Sequence, residues 1–345
     1  TISIFEKNEF IMNMLMQPTN TTESTNLPYF CMGELNLSIM QKVSEIITNP
    51  NYQPFKRKTK KNAQTVIQYY VSNSPHTDHA FYHLQSIHPI STPLLQHTAF
   101  NISQSVKAVN QAYANLGYIS YGPINPMLLH NEHYVEQIKP VVNAFVYELK
   151  NHSTSKSAID DSDIRITLIK EIKKANVPVM KKLFKTQQRF NLNHFIYTFN
   201  MEKCELRDEA FVERGLAKQI SNMIEQFHEN HQSEILALFF CVQRNLSNNY
   251  VLNVYCARDL EYEQLSMKDC IPLRNGNYMI VAPTSNISLS IDEFNYPMDL
   301  QDVDGINEKT WKVIFGQQVE KYKYVYYESE FVSPKFIYIK CDSKK

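Results

Sequence analysis

Glycine is scarce in this chain, with 7 among 345 residues. Enzymes that bind nucleotides use glycine where a loop cradles phosphate or where the backbone approaches a ligand closely. The sequence also lacks the GxGxxG, GxxxxGK[ST] and GxSxG patterns. The common dinucleotide-binding, triphosphate-binding and serine-hydrolase classes are therefore disfavoured, and no cofactor is predicted.

Net charge is absent as well, because 35 Lys and Arg residues balance 35 Asp and Glu residues. This balance excludes a nucleic-acid-binding protein that works through overall positive charge, although it allows a local basic patch. The apolar run Phe10–Pro18 is too short and wrongly flanked for a membrane span or a secretory signal. We therefore expect no membrane attachment.

The six cysteines form neither a CxxC pair nor a His/Cys metal pattern. Such cysteines are typical of reduced, buried thiols, which favours an intracellular protein. Aromatic residues are plentiful, with 21 Tyr and 19 Phe against 1 Trp, and Asn, Ile and Lys are frequent too. This bias is typical of AT-rich genomes, including those of many invertebrate viruses and some protists, so the expected location is a virion or inclusion if the protein is viral.

The strongest periodic signal predicts a long helix from Leu206 to about Glu229. Its apolar residues are Val212, Leu216, Ile220, Met223 and Phe227. Because they recur every three or four positions they share one side of the helix, whereas Glu213 is expected to point elsewhere. Two strand-like runs follow, Ile235–Val242 and Val251–Ala257. A sheet with a covering helix is therefore predicted at the centre of a domain.

The first half of the chain is predicted to be rich in helix. The helical segments are Leu37–Ile47, Asn101–Leu116 and His133–Lys150, the last of them kinked or begun at Pro140. Residues 153–163 are polar and linker-like. They separate a helix-rich N-terminal region, 1–152, from a C-terminal domain, 164–345.

In the C-terminal domain a helix that starts at Ile164 is expected to stop before Pro178. Strands then dominate. The predicted strands are Phe195–Phe199, Tyr278–Ala282, Ile287–Ile291 and a closing meander of Trp311–Phe315, Tyr322–Tyr327 and Phe336–Cys341. Runs of strands after runs of helices indicate an α+β fold with a mainly antiparallel sheet and a long covering helix in the C-terminal half.

The histidine-rich segment Ser74–His83 carries the sharpest local pattern. Its first six residues, SPHTDH, resemble the HxHxDH zinc motif of metallo-β-lactamase-like hydrolases. The resemblance implies that His76, Asp78 and His79 bind a metal that activates water. Ser74 stands where the motif has its first histidine, and the glycines that normally follow are absent. A polar loop with surface histidines is the alternative.

A dense basic run, Phe55–Lys61, leads into a β-rich segment that contains Tyr69 and Tyr70. Basic side chains near aromatic ones are typical of sites for single-stranded nucleic acid. The residues predicted to contact nucleic acid are Lys56, Arg57, Lys58, Lys60 and Lys61. A solvated loop ahead of a strand is the alternative.

The acidic group Asp160–Asp163 allows two interpretations. Carboxylates bind divalent cations, and they also stabilise the N-terminus of a following helix, where unpaired amides attract negative charge. We favour the helix cap.

Tyrosines are dense near the end of the chain. If this segment is a strand, alternation places Tyr322, Tyr324 and Tyr326 on one face and Tyr327 on the other. Tyrosine supplies contact area and a hydroxyl group, so the first three are predicted to form a subunit interface. Ordinary core packing is the alternative.

Without a catalytic signature, the sequence favours a non-enzymatic structural or self-assembling protein, such as a viral capsid or occlusion-lattice component. A second copy or another protein is then the expected partner. Two alternatives stay open: a metal-dependent hydrolase that uses Ser74–His83, and a nucleic-acid-associated factor that uses the basic run.

Overall fold

The computed structural model describes most of the chain. The described residues are 32–59, 67–70, 90, 92–115, 128, 131–186, 189–200, 209–246, 249–258, 278–282, 285–296 and 307–340. The fold is α+β, with helices prevailing in the N-terminal half and antiparallel strands in the C-terminal half, as predicted. The chain divides into two compact units, Thr1–Thr167 with Lys321–Val325, and Leu168–Glu320 with Tyr326–Lys345.

The first unit is built mainly from helices. Its elements are α1 (Met32–Thr48), β1 (Lys56–Thr59), β2 (Ile67–Tyr70), α2 (Thr92–Gln96), β3 (Phe100–Ile102), α3 (Gln104–Asn115), α4 (Glu132–Ser153) and the first turns of α5 (Lys156–Thr186). Helices α1, α3 and α4 pack against one another through apolar sides, represented by Met40, Val109 and Val142. The three helices predicted in this region are thus confirmed.

Helix α4 runs through Pro140 without a break. Proline inside a helix removes one hydrogen bond and costs about 3 kcal/mol. The buried side chains Ile138, Val142 and Phe145 continue the same apolar side past the proline, and burying each stabilises the helix by about 2 kcal/mol. Packing therefore outweighs the proline, and the helix begins instead at Glu132. Asn131 caps it, since its side-chain oxygen accepts a hydrogen bond from the Tyr134 amide at 3.2 Å.

Helix α5 begins at Lys156, within the segment predicted to be a linker, and not at Ile164. The Ser155 hydroxyl accepts a hydrogen bond from the Ala158 amide at 3.3 Å and so caps the first turn. The helix also continues past Pro178, where it was expected to stop, because Ile172 and Met180 bury the same side before and after the proline. The polar composition of 153–163 therefore encodes a helix start.

An antiparallel sheet of six strands forms the centre of the second unit. From Asn191 onward the elements of the chain are β4 (Asn191–Asn200), α6 (Glu209–His231), β5 (Ile235–Arg244), β6 (Tyr250–Arg258), β7 (Tyr278–Ala282), β8 (Ser285–Tyr296), α7 (Glu308–Glu320), a 3-10 turn (Lys321–Lys323), β9 (Val325–Tyr327) and β10 (Ile337–Lys340). Of these, the 3-10 turn belongs to the first unit. The strand order is β10-β5-β6-β4-β8-β7. The predicted strands of β4 to β8 are confirmed.

Both faces of the central strands are covered. Helix α6 lies over the face that carries Phe240, as the sequence predicted. Helix α7 covers the opposite face, where the Trp311 ring lies 5.5 Å from Phe239 and 5.8 Å from Tyr255 between centroids. Phe239 and Tyr255 are directly opposed in the β5–β6 register. The sheet is therefore a core layer, which explains why its central strands are apolar on both sides.

Two predictions for the closing meander were wrong. Trp311–Phe315 is helical, because Trp311, Phe315 and Val319 are buried at a spacing of four residues. Lys321–Lys323 forms a 3-10 turn, so the strand alternation expected from Tyr322 onward holds only within Val325–Tyr327. Short apolar runs fit a helix and a strand equally well until their neighbours are known.

Candidate functional site

An exposed apolar strip lies on the first turns of α5. Ile159 and Ile166 are 50% and 43% exposed. Since they are seven positions apart, they lie on the same side of the helix, with the exposed Ser162 between them. We call Ile159, Ser162 and Ile166 the isoleucine seam. Ile164 is more exposed, at 59%, but it lies on a different side.

An ion pair between the buried Arg165 and the partly exposed Asp161 anchors α5 on the side next to the seam. Arg165 is buried, and its Nε donates to both carboxylate oxygens of Asp161 at 3.0 and 3.1 Å. Its Nη1 and Nη2 donate to the carbonyl oxygens of Tyr322 and Asn101, each at 3.0 Å. The guanidinium thus ties α5 to two other segments of the first unit, which fixes the seam toward solvent.

Asp161 also determines what the acidic group does. One of its carboxylate oxygens accepts a hydrogen bond from the Gln104 amide, at the N-terminus of α3, at 2.9 Å. The acidic group was expected to cap a helix that starts just after it, and this was wrong because these residues already lie inside α5. Asp161 instead caps the N-terminus of α3. Within the described ranges, no group of three or more His, Cys, Asp or Glu side chains is arranged to hold a metal.

In the second unit, α6 carries a buried carboxylate. Glu213 is 3% exposed, and the prediction that it points away from the sheet was wrong. It lies three and seven positions before Leu216 and Ile220, on the side that faces the sheet. A charged residue in such a position requires polar partners.

Three hydroxyl groups supply those partners. The Tyr250 and Tyr327 hydroxyls donate to Oε2 of Glu213 at 2.5 and 2.7 Å, and the Ser329 hydroxyl donates to Oε1. The guanidinium of Arg244 lies 5.3 Å from the Tyr250 ring centre and 5.5 Å from that of Tyr327. Its Nη1 donates to the Tyr327 hydroxyl at 3.4 Å. Together these five residues form the Glu213 cluster.

Burial affects the protonation of the two tyrosines in the cluster. It raises the pKa of both the Tyr250 and the Tyr327 hydroxyls, and their hydrogen bonds to Glu213 raise the pKa further. Both tyrosines therefore remain neutral donors well above the ordinary tyrosine range.

A buried histidine lies on the opposite face of the sheet. The His194 ring stacks on Tyr255 with 4.0 Å between centroids and shares a hydrogen bond with the Asn253 side chain at 3.2 Å. Burial lowers the pKa of His194 to about 3, against a partial opposing effect of the hydrogen bond. The ring is therefore neutral at physiological pH and serves the core.

The tyrosines predicted to form an interface are buried within the chain. Tyr322 belongs to the 3-10 turn, Tyr324 follows it, and Tyr326 lies in β9. The Tyr324 carbonyl accepts a hydrogen bond from the Ser103 amide at 2.9 Å, within the first unit. Packing and backbone contacts thus account for their positions, and an interface role stays a prediction.

Part of the predicted nucleic-acid site lies in the described residues. Strand β1 contains Lys56, Arg57 and Lys58 and pairs antiparallel with β2. The register sets Lys56 opposite Tyr70 and Arg57 opposite Tyr69. Lys60 and Lys61 lie outside the described residues. The pairing therefore sets two residues of the basic run in register with the two tyrosines.

The predicted metal ligands His76, Asp78 and His79 all lie outside the described residues. Metal binding by this segment stays a prediction. Elemental analysis of the purified protein, together with its melting temperature before and after chelation, would test it.

No protein-family model matches the chain, and neither a curated protein nor a solved structure does. Among the helices that the structure describes, none is both long enough and apolar enough to cross a bilayer. Function is therefore inferred from the residues themselves.

Sequence reasoning missed the isoleucine seam and the Glu213 cluster. A signal for the seam was present, because Ile159 and Ile166 are one heptad apart in a polar stretch. The cluster had a weaker signal, since Tyr250 and Ser329 are 37 and 116 positions from Glu213.

Proposed function

We propose that this protein is a non-enzymatic structural protein that acts by associating with further copies of itself. The observation that carries the proposal is the isoleucine seam, an exposed apolar strip on a helix that Arg165 anchors to other segments of the first unit. Exposed apolar residues that cluster on one rigid surface favour protein contact.

The seam is self-complementary. If two copies of α5 pack antiparallel about a point between Ser162 and Asp163, Ile159 of one copy faces Ile166 of the other, and the reverse contact forms at the same time. Such isologous pairing is the usual arrangement of a twofold dimer. Ser162 lies at the centre of the contact, where its small side chain lets the helices approach closely.

The charged residues beside the seam also suit a second copy. Asp163 lies beside it with Lys156 and Lys170 one heptad away on either side. Both signs are therefore present next to the apolar contact, so a second copy meets neither a purely positive nor a purely negative surface. A two-isoleucine seam is small, and we expect micromolar rather than nanomolar association.

Size-exclusion chromatography with light scattering at high micromolar concentration tests this. We expect a dimer for the unmodified protein and a monomer for the double variant Ile159→Lys, Ile166→Lys, because charge at the seam cannot be buried without a partner. Both positions are exposed, so the fold should be retained.

Ile164→Lys is the control, because it replaces another exposed isoleucine of the same helix with lysine, off the seam. It should leave the dimer intact. A strictly monomeric unmodified protein, or equal loss of the dimer in Ile164→Lys, would contradict the proposal.

A capsid or occlusion-lattice component is the finer form of this proposal. Its support is the Asn-, Ile-, Lys- and Tyr-rich composition, which is typical of AT-rich genomes, among them those of many invertebrate viruses. A lattice requires a further contact besides a twofold one, since a closed dimer does not propagate. Electron microscopy of the concentrated protein should then show ordered arrays, and a soluble dimer at every concentration would restrict the function to dimerisation.

Contact with single-stranded nucleic acid is a second candidate, favoured by the β1–β2 register. The ribbon sets Lys56 and Arg57 opposite Tyr70 and Tyr69, which combines charge for phosphate with rings for base stacking. We expect binding that weakens with salt and is lost when Lys56, Arg57 and Lys58 are replaced by Gln. Replacing Lys170, Lys173 and Lys174 of α5 by Gln is the control and should leave binding unchanged. Binding that does not depend on salt, or that survives the substitutions in β1, would reject this candidate.

A further inference from the structure

A cavity in the second unit lies between α6 and the sheet, at the edge of the Glu213 cluster. Its apolar wall includes Leu216, Ala217, Ile220, Phe240, Phe331 and Ile337. Glu213, Ser221 and Tyr250 provide its polar lining. The cavity measures about 80 Å³. Because one water needs roughly 10–15 Å³ of cavity volume, the cavity accommodates about five to eight non-hydrogen atoms.

The polar lining determines what kind of group fits. A carboxylate offers about four acceptor positions and no donor. Oε2 of Glu213 accepts from Tyr250 and Tyr327, and Oε1 accepts from Ser329. Among the described residues, one acceptor position on Oε1 therefore remains for a ligand, which must donate the hydrogen bond.

The charge of the site favours a neutral donor. Arg244 already lies over the Tyr250 and Tyr327 rings and donates to the Tyr327 hydroxyl, so that its charge balances that of Glu213. A cationic ligand would lose its hydration without meeting a net negative charge. An anionic ligand would be repelled by the Glu213 carboxylate. A hydroxyl group needs only the single hydrogen bond.

We propose that this cavity is a binding site for a short, neutral aliphatic alcohol, with the hydroxyl on Glu213 and the chain against Leu216, Ile220 and Ile337. The proposal is independent of self-association, since the seam and the cavity lie in different units. n-Hexanol has a size that the cavity accommodates and serves as the probe.

The experiment is a titration of the full chain with n-hexanol, followed through the methyl resonances of Leu216, Ile220 and Ile337. We expect saturable shifts confined to the cavity, and binding at least tenfold tighter than that of n-hexylammonium or hexanoate. The variants Ala217→Leu and Ile337→Phe each narrow the cavity, from the helix and from the strand, and should weaken binding at least tenfold.

Ala210→Leu is the control for Ala217→Leu, because it places leucine at an exposed position of α6 outside the cavity. This variant should bind n-hexanol as tightly as the unmodified protein does. Leucine and alanine are both strong helix formers, so Ala217→Leu should keep α6 intact. Ile337 is 55% exposed, so Ile337→Phe should fold even if Ala217→Leu does not. Absent or non-saturable shifts, unchanged binding in both narrowing variants, or a charged probe that binds as tightly would each overturn the proposal.

Discussion

In the first unit Arg165 contacts its carboxylate partner Asp161 directly, whereas in the second unit Arg244 is connected to Glu213 through the hydroxyl of Tyr327. Nη1 and Nη2 of Arg165 donate to the backbone carbonyls of Tyr322 and Asn101. The carboxylate of Glu213 is instead satisfied by side-chain hydroxyls.

The two clusters differ in the protonation states that their hydrogen bonds require. A direct pair of arginine and aspartate depends on two charges being present. The Glu213 cluster depends on tyrosines that remain neutral, and the sheet beside it depends on a neutral His194. We therefore expect the first unit to be sensitive to loss of a charge and the second to be sensitive to pH.

The largest effect should come from breaking the direct pair. Arg165→Met removes the charged partner of Asp161 and the hydrogen bonds that Arg165 donates to the carbonyls of Asn101 and Tyr322, which should lower the free energy of unfolding by about 4 kcal/mol. Urea unfolding followed by circular dichroism measures it, because that signal includes the helices of the first unit.

The control for this variant is Arg214→Met, an exposed arginine on α6. It should change the free energy of unfolding by less than about 0.5 kcal/mol. Equal destabilisation by both substitutions would mean that Arg165 has no special role.

A second effect should appear in acid. The unfolded chain protonates His194 near its ordinary pKa of 6.5, but the folded chain does so only near 3. Stability from this group is therefore complete above about pH 6.5 and falls as the pH is lowered, by about 1.4 kcal/mol per pH unit and about 3 kcal/mol by pH 4. Fluorescence of Trp311 in the second unit follows the unfolding.

His194→Phe keeps the stack on Tyr255 and removes the proton site, so it should flatten this acid dependence. His133→Asn, at an exposed position, should leave it unchanged. A dependence that is the same in all three proteins would show that His194 does not titrate as proposed.

The smallest effect concerns the tyrosines. Tyr327→Phe removes one hydrogen bond to Glu213 and should cost about 1.5 kcal/mol near neutral pH. Because the pKa of Tyr327 is raised in the folded state, the stability it contributes is present below about pH 10 and is lost as the pH rises further. The variant should reduce that alkaline loss by up to about 1.4 kcal/mol per pH unit.

Tyr147→Phe is the matched control, because Tyr147 is 69% exposed on α4. Urea unfolding from neutral to alkaline pH should not distinguish it from the unmodified protein. An alkaline loss that is as steep in Tyr327→Phe as in the unmodified protein would contradict the role given to this hydroxyl.

The sequence predicted the elements whose apolar residues keep one period over a long stretch. Helix α6 and strands β5 and β6 are examples, since local periodicity and burial agree there. Glu213 was placed wrongly because nothing nearby marks it: the hydroxyls that allow its burial come from Tyr250, Tyr327 and Ser329, far along the chain. Local patterns cannot reveal partners that only the fold brings together.

Proline and polar composition misled for a related reason. Pro140 and Pro178 are ordinarily helix breakers, but tertiary packing of the surrounding apolar side chains outweighs their cost. The acidic group beside Ile159 suggested a linker or a cap, whereas Asp161 acts across space on α3. The candidate seam was likewise hidden, because its exposure depends on where Arg165 is anchored.

The return of Lys321–Val325 to the first unit has a consequence for biosynthesis. Arg165 and Ser103 donate to the carbonyls of Tyr322 and Tyr324, which leave the ribosome last among the parts of that unit. At about 5–20 residues per second, the nascent N-terminal helices wait roughly ten to thirty seconds for these acceptors. A fragment that ends at residue 167 lacks these acceptors, so we expect it to remain incompletely folded.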